Sequence, residues 1–435
     1  VKFPRRPKLR RLAGPAGRAS WGLADQALSS LSNLAVGVVV ARSSTVADFG
    51  VYALAFGGYT IALNVSRAVA TEPLAVRYSG HRGPDWQRAV RASTATALLM
   101  GFAGLLVGLA IAAFPGVPAK GVLIAFAVTM PGLLLQDAWR WAFFVVGEGR
   151  RAFVNDLIWL LAMLAIFGGL YLTGAASAFT LTLGWGLGAV VAAVAGRFQA
   201  GVSPRRQLVR EWVRTHWDLT PKYMGEMLAV SGTIQVYMLG ITAAAGLAAT
   251  AGIRGAQVLL GPVNVLNQGI RMISVPEAAR ALRHSYRRLW LVGLAISLGV
   301  GAGALAWGAV FLLLPEVVGE QLLGPGVWAE AGTVMVPVIL LQALGASNAG
   351  AFAIMRALAA ATRGLRVRLI SSVVLVTCGV GGAYLSGARG AAWGLAGASF
   401  CTLLLWWHEA WRAITAHRRT AGDPTRRGRG ATDES

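Results

Sequence analysis

Residues 88–113 read RAVRASTATALLMGFAGLLVGLAIAA: two arginines, Arg88 and Arg91, and then 22 residues without a charge. At about 1.5 Å of rise per residue, a run of that length covers the roughly 30 Å hydrocarbon core of a bilayer. The stretch reads as a membrane span with a basic foot. Working outward, the same unit recurs along the whole chain. The composition then makes sense: 56% of 435 residues are hydrophobic, yet the formal net charge is +22. A soluble protein could not hide so much apolar surface beside so much like charge. Apolar spans joined by basic loops reconcile the two.

Cutting the chain into segments of about 20 apolar residues gives about twelve helices, near 20–41, 49–69, 91–113, 120–146, 154–173, 176–196, 220–245, 252–275, 289–314, 330–354, 368–386 and 391–411. The N-terminal tail is basic, and every second loop after it is basic too: 77–91, 150–151, 197–222, 280–288 and 356–368, then the C-terminal tail. The intervening loops hold only Arg42, Lys120, Arg254 and Arg389. Positive charge stays on the cytoplasmic side of a membrane, so both termini are expected in the cytoplasm. Charge spread in this way faces anionic lipid headgroups, which are the expected partner, and argues against nucleic-acid binding.

The two halves echo each other. A shift of 203 lays Gly58, Asn64, Pro73 and Arg77 over Gly261, Asn267, Pro276 and Arg280. A shift of 206 lays Pro131, Gln136 and Arg150 over Pro337, Gln342 and Arg356. The expected fold is an all-α polytopic membrane protein, with about twelve transmembrane helices in two pseudo-symmetric six-helix bundles. The expected organisation is a basic tail (1–19), a first bundle (20–196), a cytoplasmic linker (197–219), a second bundle (220–411) and a basic, disordered tail (412–435). The linker carries Leu208, Val209, Trp212, Val213 and Trp217 opposite Arg205, Arg206, Arg210 and Arg214. That amphipathic helix can lie in the headgroup layer or pack on protein, and the sequence leaves both open.

Polar groups inside spans are costly, so they are the functional signal. Asp25, Ser29 and Asn33 share a face of the first span, and Gly57, Thr60, Asn64 and Arg67 share one of the second. The seventh span offers Glu226, Thr233 and Tyr237, and the eighth offers Gln257, Asn264, Gln268 and Arg271. These four stripes are expected to line a shared cavity, with Arg67, Arg140, Arg271, Asn64, Asn264, Gln257 and Asn267 as substrate contacts. Asp25, Glu226 and Asp137 are candidates for gating or ion coupling. Any one of these polar groups can instead bond helix to helix, and the arginines can snorkel to the interface. All the charged ones fall on the basic side of the membrane, so acids and arginines are expected to pair across the two halves as an inner gate. Guanidinium groups freed on opening would suit a phosphate-bearing headgroup. Pro131, Pro262 and Pro337 fall inside spans and are expected to bend them.

There is no phosphate-binding glycine loop, and His81, His216, His284, His408 and His417 lack metal-ligand spacing. The chain reads as a carrier, not an enzyme, with no cofactor or metal expected.

Specific stretches carry a resemblance: Asp25-Gln26 with Ser30-Leu31-Ser32-Asn33, Ala47-Asp48-Phe49-Gly50-Val51-Tyr52, Glu72-Pro73-Leu74, Gln136-Asp137 with Arg140, Asn155-Asp156-Leu157-Ile158-Trp159, and Arg254-Gly255-Ala256-Gln257 with Gly261-Pro262. In order and spacing they resemble the O-antigen, capsule and exopolysaccharide translocases. Those proteins form the polysaccharide flippase branch of the multidrug/oligosaccharidyl-lipid/polysaccharide (MOP) exporter superfamily, whose fold is shared with MATE transporters. The resemblance implies alternating access and movement of a polyprenyl-diphosphate-linked oligosaccharide from the inner to the outer leaflet. It also implies a cationic lumen and coupling to H+ or Na+. A monomer in a bacterial plasma membrane is expected, with a polysaccharide polymerase or glycosyltransferases as candidate partners. The alternative is a proton- or sodium-coupled drug or metabolite antiporter of the same fold, which acidic and aromatic residues at the cavity would favour.

Overall fold

The computed structural model describes residues 15–79 and 83–421. Most of the two basic tails therefore lies outside the described residues, as do the side chains of Glu226, Asn264 and Arg271.

The first half runs α1 (Pro15–Arg42), α2 (Val46–Ser66), a π-helical turn (Arg67–Thr71), α3 (Glu72–Tyr78), α4 (Pro84–Ala113), α5 (Lys120–Val145), α6 (Gly149–Leu172) and α7 (Ala178–Ala200). The linker holds α8 (Val209–Thr215). The second half runs α9 (Thr220–Leu259), α10 (Gly261–His284), α11 (Tyr286–Leu313), α12 (Glu316–Leu323), α13 (Pro325–Ala346), α14 (Ala349–Ala357) and α15 (Ala361–Ala421). No strand occurs among the described residues.

Local chemistry sets the ends of these helices. Thr45 Oγ1 accepts from the Asp48 N–H at 3.1 Å and donates to its carboxylate at 2.9 Å, opening α2. Ser177 and Thr180 form the reciprocal box that opens α7, and Gly201 closes that helix at φ 67. Ser285 Oγ accepts from the Arg288 N–H to open α11.

Among the described residues, ten helical runs are long and apolar enough to cross a membrane. Two of them fold back on themselves. In α9 the chain reverses at Gly246 (φ 84, ψ 176), which brings the Thr242 and Thr250 hydroxyls to 2.6 Å. In α15 it reverses at Ser386 and Gly387, where a Cβ on Gly390 would lie 2.1 Å from the Gly382 carbonyl oxygen. Only glycine allows so close an approach. The second arm of α9 continues past Leu260 into α10, a helix too polar to count among the ten by composition. Counting each arm as a crossing, the described chain passes twelve times, in two bundles of six.

Details differ from the expectation. The second crossing does not stop at 69 but runs on through the π-helical turn to Tyr78. Pro131 and Pro337 do sit inside α5 and α13, whereas Pro262 stands in the first turn of α10, just past the break at Leu260. There the missing N–H costs nothing, because first-turn donors have no partner within the helix. The linker packs on protein: Trp212 is buried, and its indole N–H donates to the Val69 carbonyl at 3.1 Å. Arg77 holds Asp218 at 2.7 Å across the same junction.

The bundles meet on the side away from the basic loops. A Cβ on Gly50 would lie 2.6 Å from the Leu247 carbonyl oxygen, and one on Gly37 would lie 2.7 Å from Val258. Gly324 is seated against the backbone of Arg42. Deeper in, α2 and the first arm of α9 run antiparallel. The Gln235 amide donates to the Leu54 carbonyl at 3.3 Å, and the Asn64 amide donates to the Ser231 hydroxyl at 2.5 Å.

Candidate functional site

The first bundle encloses a cavity of about 580 Å³ lined from α1, α2, the π-helical turn, α5 and α6. Asp25, Ser29 and Asn33 reach it from one face of α1, at the i, i+4, i+8 spacing of a helix stripe. Asp137 and Arg140, one turn apart, reach it from α5, and Asp156 reaches it from α6. Arg67 opens the π-helical turn, whose extra residue re-aims the side chains beside it, a device common at functional sites.

Five charges meet in this space. Arg67 clasps Asp137 through two bonds, Nε to Oδ2 at 2.9 Å and Nη2 to Oδ1 at 2.6 Å. Arg140 is shared. Its Nε and Nη2 both donate to Asp25 Oδ2, the former at 2.8 Å, and its Nε lies 3.3 Å from Asp156 Oδ2. Asp156 Oδ1 accepts from the Gln136 amide at 2.7 Å. Asn155 ties that amide to α7 through the Ala192 carbonyl at 2.8 Å and Gln199 at 3.0 Å. Asp25 Oδ1, by contrast, is buried without a hydrogen-bond partner among the described residues, in a residue that is 0% exposed.

Much of the remaining wall is aromatic. Arg67 lies over Trp141 and Arg140 over Phe144, each at 5.7 Å. Phe56 and Tyr59 line the cavity and pack against Phe126 and Trp185 behind them, with Tyr59 and Trp185 edge to face at 5.4 Å. The Trp159 indole N–H is fixed on the Trp185 carbonyl at 2.9 Å. Such walls bury large apolar area while the rings keep fixed geometry.

This arrangement corrects the expected gate. Asp25, Asp137, Arg67 and Arg140 pair inside one bundle and not across the two. Neither Arg67 nor Arg140 presents an uncompensated charge to a diphosphate. Asn64 does reach the second bundle, through Ser231. Gln257 lies beside Tyr237 within its own bundle. Asn267 does not line this cavity. Glu226, Asn264 and Arg271 lie outside the described side chains.

Two residues carry more of the site than their sequence context signalled. Asp156 lies seven residues into α6, but only two residues into the span expected from the sequence, so it did not stand out as Asp25 did. Arg254, which reads as an outer-loop charge, lies within α9 with its guanidinium 4.5 Å above the Phe56 ring of the other bundle. No sequence signal marked that contact.

No protein-family model matches the chain, and no curated protein matches it. Solved structures do. The inward-facing conformation of a multidrug resistance MATE family transporter of the MOP superfamily matches with TM-score 0.70 at 15% identity, over 91% of this chain and 96% of that one. The lipid II flippase MurJ in its inward closed conformation matches with TM-score 0.66 at 10% identity, over 92% and 89%. An outward-facing multidrug resistance MATE transporter matches with TM-score 0.57 at 14% identity, over 92% and 95%. The fold of this chain is therefore that of the MATE-like transporters of the MOP superfamily.

Proposed function

We propose that this chain is a cation-coupled antiporter that exports an organic, aromatic or amphipathic compound across a bacterial plasma membrane, its termini in the cytoplasm. The observation that carries this reading is the charge balance of the first-bundle cavity. Among the described residues three carboxylates, Asp25, Asp137 and Asp156, face two guanidinium groups. Asp137 is matched by Arg67, which leaves Asp25 and Asp156 to divide Arg140. One negative charge in a low-dielectric space calls for a cation, since an uncompensated buried carboxylate costs several kcal/mol or more. A proton or Na+ at Asp25 Oδ1 would restore balance. Its departure would return the strain that drives the change of access. The aromatic wall supplies contact area for a flat or amphipathic cargo. The better overlap with the inward-facing than with the outward-facing relative, 0.70 against 0.57, fits a state open toward the basic loops.

The test is transport in proteoliposomes under an imposed pH or Na+ gradient, with a fluorescent organic cation as cargo. Gradient-driven movement in the wild type and its loss in Asp25→Asn support the reading. Movement that ignores both gradients sinks it.

A second reading is a flippase for a polyprenyl-diphosphate-linked oligosaccharide in surface polysaccharide assembly, working beside a polymerase or glycosyltransferases. The motif order from Asp25 to Pro262 favours it, and so does the overlap with a lipid II flippase. Deletion of the gene would then leave lipid-linked glycan stranded in the inner leaflet, with no change in drug sensitivity. The antiporter reading expects the reverse pattern.

A further inference from the structure

Arg254 is a charge that the transport cycle above leaves unused. It lies eight residues past the reversal at Gly246, and Phe56 lies ten past the first residue of α2. Both therefore sit about 12–15 Å in from the side where the bundles meet. A cation at that depth in a membrane is costly, which marks it as functional. Among the described residues Arg254 makes no ion pair, and its Nε is buried without a hydrogen-bond partner. The groups that face its charge are the buried phenols of Tyr52 and Tyr237, which are uncharged at neutral pH. Its compensation comes from the face of Phe56, at 4.5 Å.

Phe56 is a partition. Of the α2 residues that line the first-bundle cavity, it is the one nearest the side where the bundles meet. The guanidinium of the second bundle stands against that same ring. One ring thus divides a space with an excess negative charge from a positive charge that has no carboxylate of its own. Beyond this level the bundles close on each other, with Gly50 against the Leu247 carbonyl. A cation drawn to Asp25 that continued toward the closed seam would have to pass the guanidinium.

We propose that Arg254 is an electrostatic stop, which keeps the coupling cation from crossing the closed seam and is withdrawn when the bundles part. Its contact with Phe56 joins one bundle to the other, so the stop exists only while they are closed. In that state the guanidinium repels a second positive charge in a low dielectric. Even at about 12 Å and an effective dielectric near 20, a unit charge lowers cation occupancy about tenfold. Once α9 leaves α2, water reaches the guanidinium and screens it. A fixed arginine excludes protons and cations from narrow membrane passages by the same means. This role rests on the antiporter reading, because a carrier that binds a cation must block its path in one state.

Ion leak into proteoliposomes of the full-length chain without cargo tests this, with H+ entry read by trapped pyranine and Cl− entry by trapped lucigenin. The wild type should be as tight as protein-free vesicles. Arg254→Gln should raise H+ entry about tenfold and leave Cl− entry unchanged, because the barrier depends on the sign of the ion. Arg254→Lys keeps the charge and should stay tight. Gln257→Glu, three residues along the same helix, sets a carboxylate beside an intact Arg254 and should leak as Arg254→Gln does. It decides the matter if the arginine variant does not fold. Asp25→Asn/Arg254→Gln should be tight again, since the path runs through the cavity carboxylate. A tight Arg254→Gln overturns the proposal. So does an equal rise in H+ and Cl− entry, which would mean a loosened seam, and so does a leak that survives Asp25→Asn, which would mean another path. No cargo is present, so these outcomes are separate from the gradient-driven transport on which the antiporter reading stands.

Discussion

Arg140 is the residue on which the charge balance of the first-bundle cavity turns, so its removal and that of its partners should have opposite consequences. It is 13% exposed, and it serves Asp25 at 0% and Asp156 at 4%. In Arg140→Gln two carboxylates would remain buried with no counter-charge. At contact distances of about 4 Å and an effective dielectric near 20, each ion pair is worth about 4 kcal/mol before desolvation. Breaking a buried pair from one side costs about 3–5 kcal/mol. Arg140→Gln should therefore lose about that much stability at neutral pH and regain part of it on acidification, as the orphaned carboxylates take up protons. Asp156→Asn removes the excess charge instead and leaves Arg140 balanced by Asp25. That variant should fold at least as well as the wild type and lose the gradient dependence of transport. Denaturation in detergent at pH 8 and pH 5.5, beside the proteoliposome assay, reads both. If Arg140→Gln is no less stable than Arg88→Gln, or if Asp156→Asn stays fully coupled, the shared-arginine argument is wrong.

Arg88 and Glu211 pair at 2.7 Å but are 62% and 59% exposed, so either neutralisation should cost under about 1 kcal/mol in the same denaturation series. Gly50→Ala puts a methyl 2.6 Å from the Leu247 carbonyl, against backbone that cannot yield. It should cost about 1–3 kcal/mol and loosen bundle contact on the side away from the basic loops, read as faster labelling of a cysteine placed at Leu54. Trp212→Ala empties the linker's anchor, and about 3–5 kcal/mol of docking should disappear, seen as faster hydrogen exchange over 206–216. His216 is buried beside that anchor, and burial holds its imidazole below the usual range despite the bond from Nδ1 to the Trp212 carbonyl. An undocked imidazole binds a proton near pH 6.5 that the docked one resists, so docking should weaken as pH falls below about 6.5. Exchange over the same segment should lose that pH dependence in His216→Gln.

Much of the fold was legible because membrane insertion imposes two coarse rules, apolar length and charge side, that the sequence obeys loop after loop. The eighth crossing was legible mainly through its repeat of the second. Its polar half, α10, fails the hydropathy test, and its outer half is merged by helicity with the seventh crossing around Gly246. The site was half legible. Asp25 shows as one face of a helix, but its partner lies 115 residues away, and no local spacing encodes which of several arginines at one depth will meet it. The shared depth of the charges misled here. Depth alone pointed to pairing across the bundles, whereas a carboxylate desolvated within one bundle is compensated most cheaply by an arginine already packed there. Arg254 was hidden for a related reason: proximity to a loop in sequence says nothing about which ring will sit beneath a guanidinium.

The π-helical turn at Arg67–Thr71 gives the helix that carries Arg67 one residue of slack. A bulge of this kind can migrate along its helix by trading one backbone acceptor for the next, with no gain or loss of length. Each residue it passes swings by about 100° around the axis. Arg67 sits at its edge, so a single step of the bulge could carry the guanidinium away from Asp137 while Asn64 keeps its grip on Ser231. A rotation confined to one turn would thus let a change of charge in the first bundle be felt by the second before either bundle moves as a body.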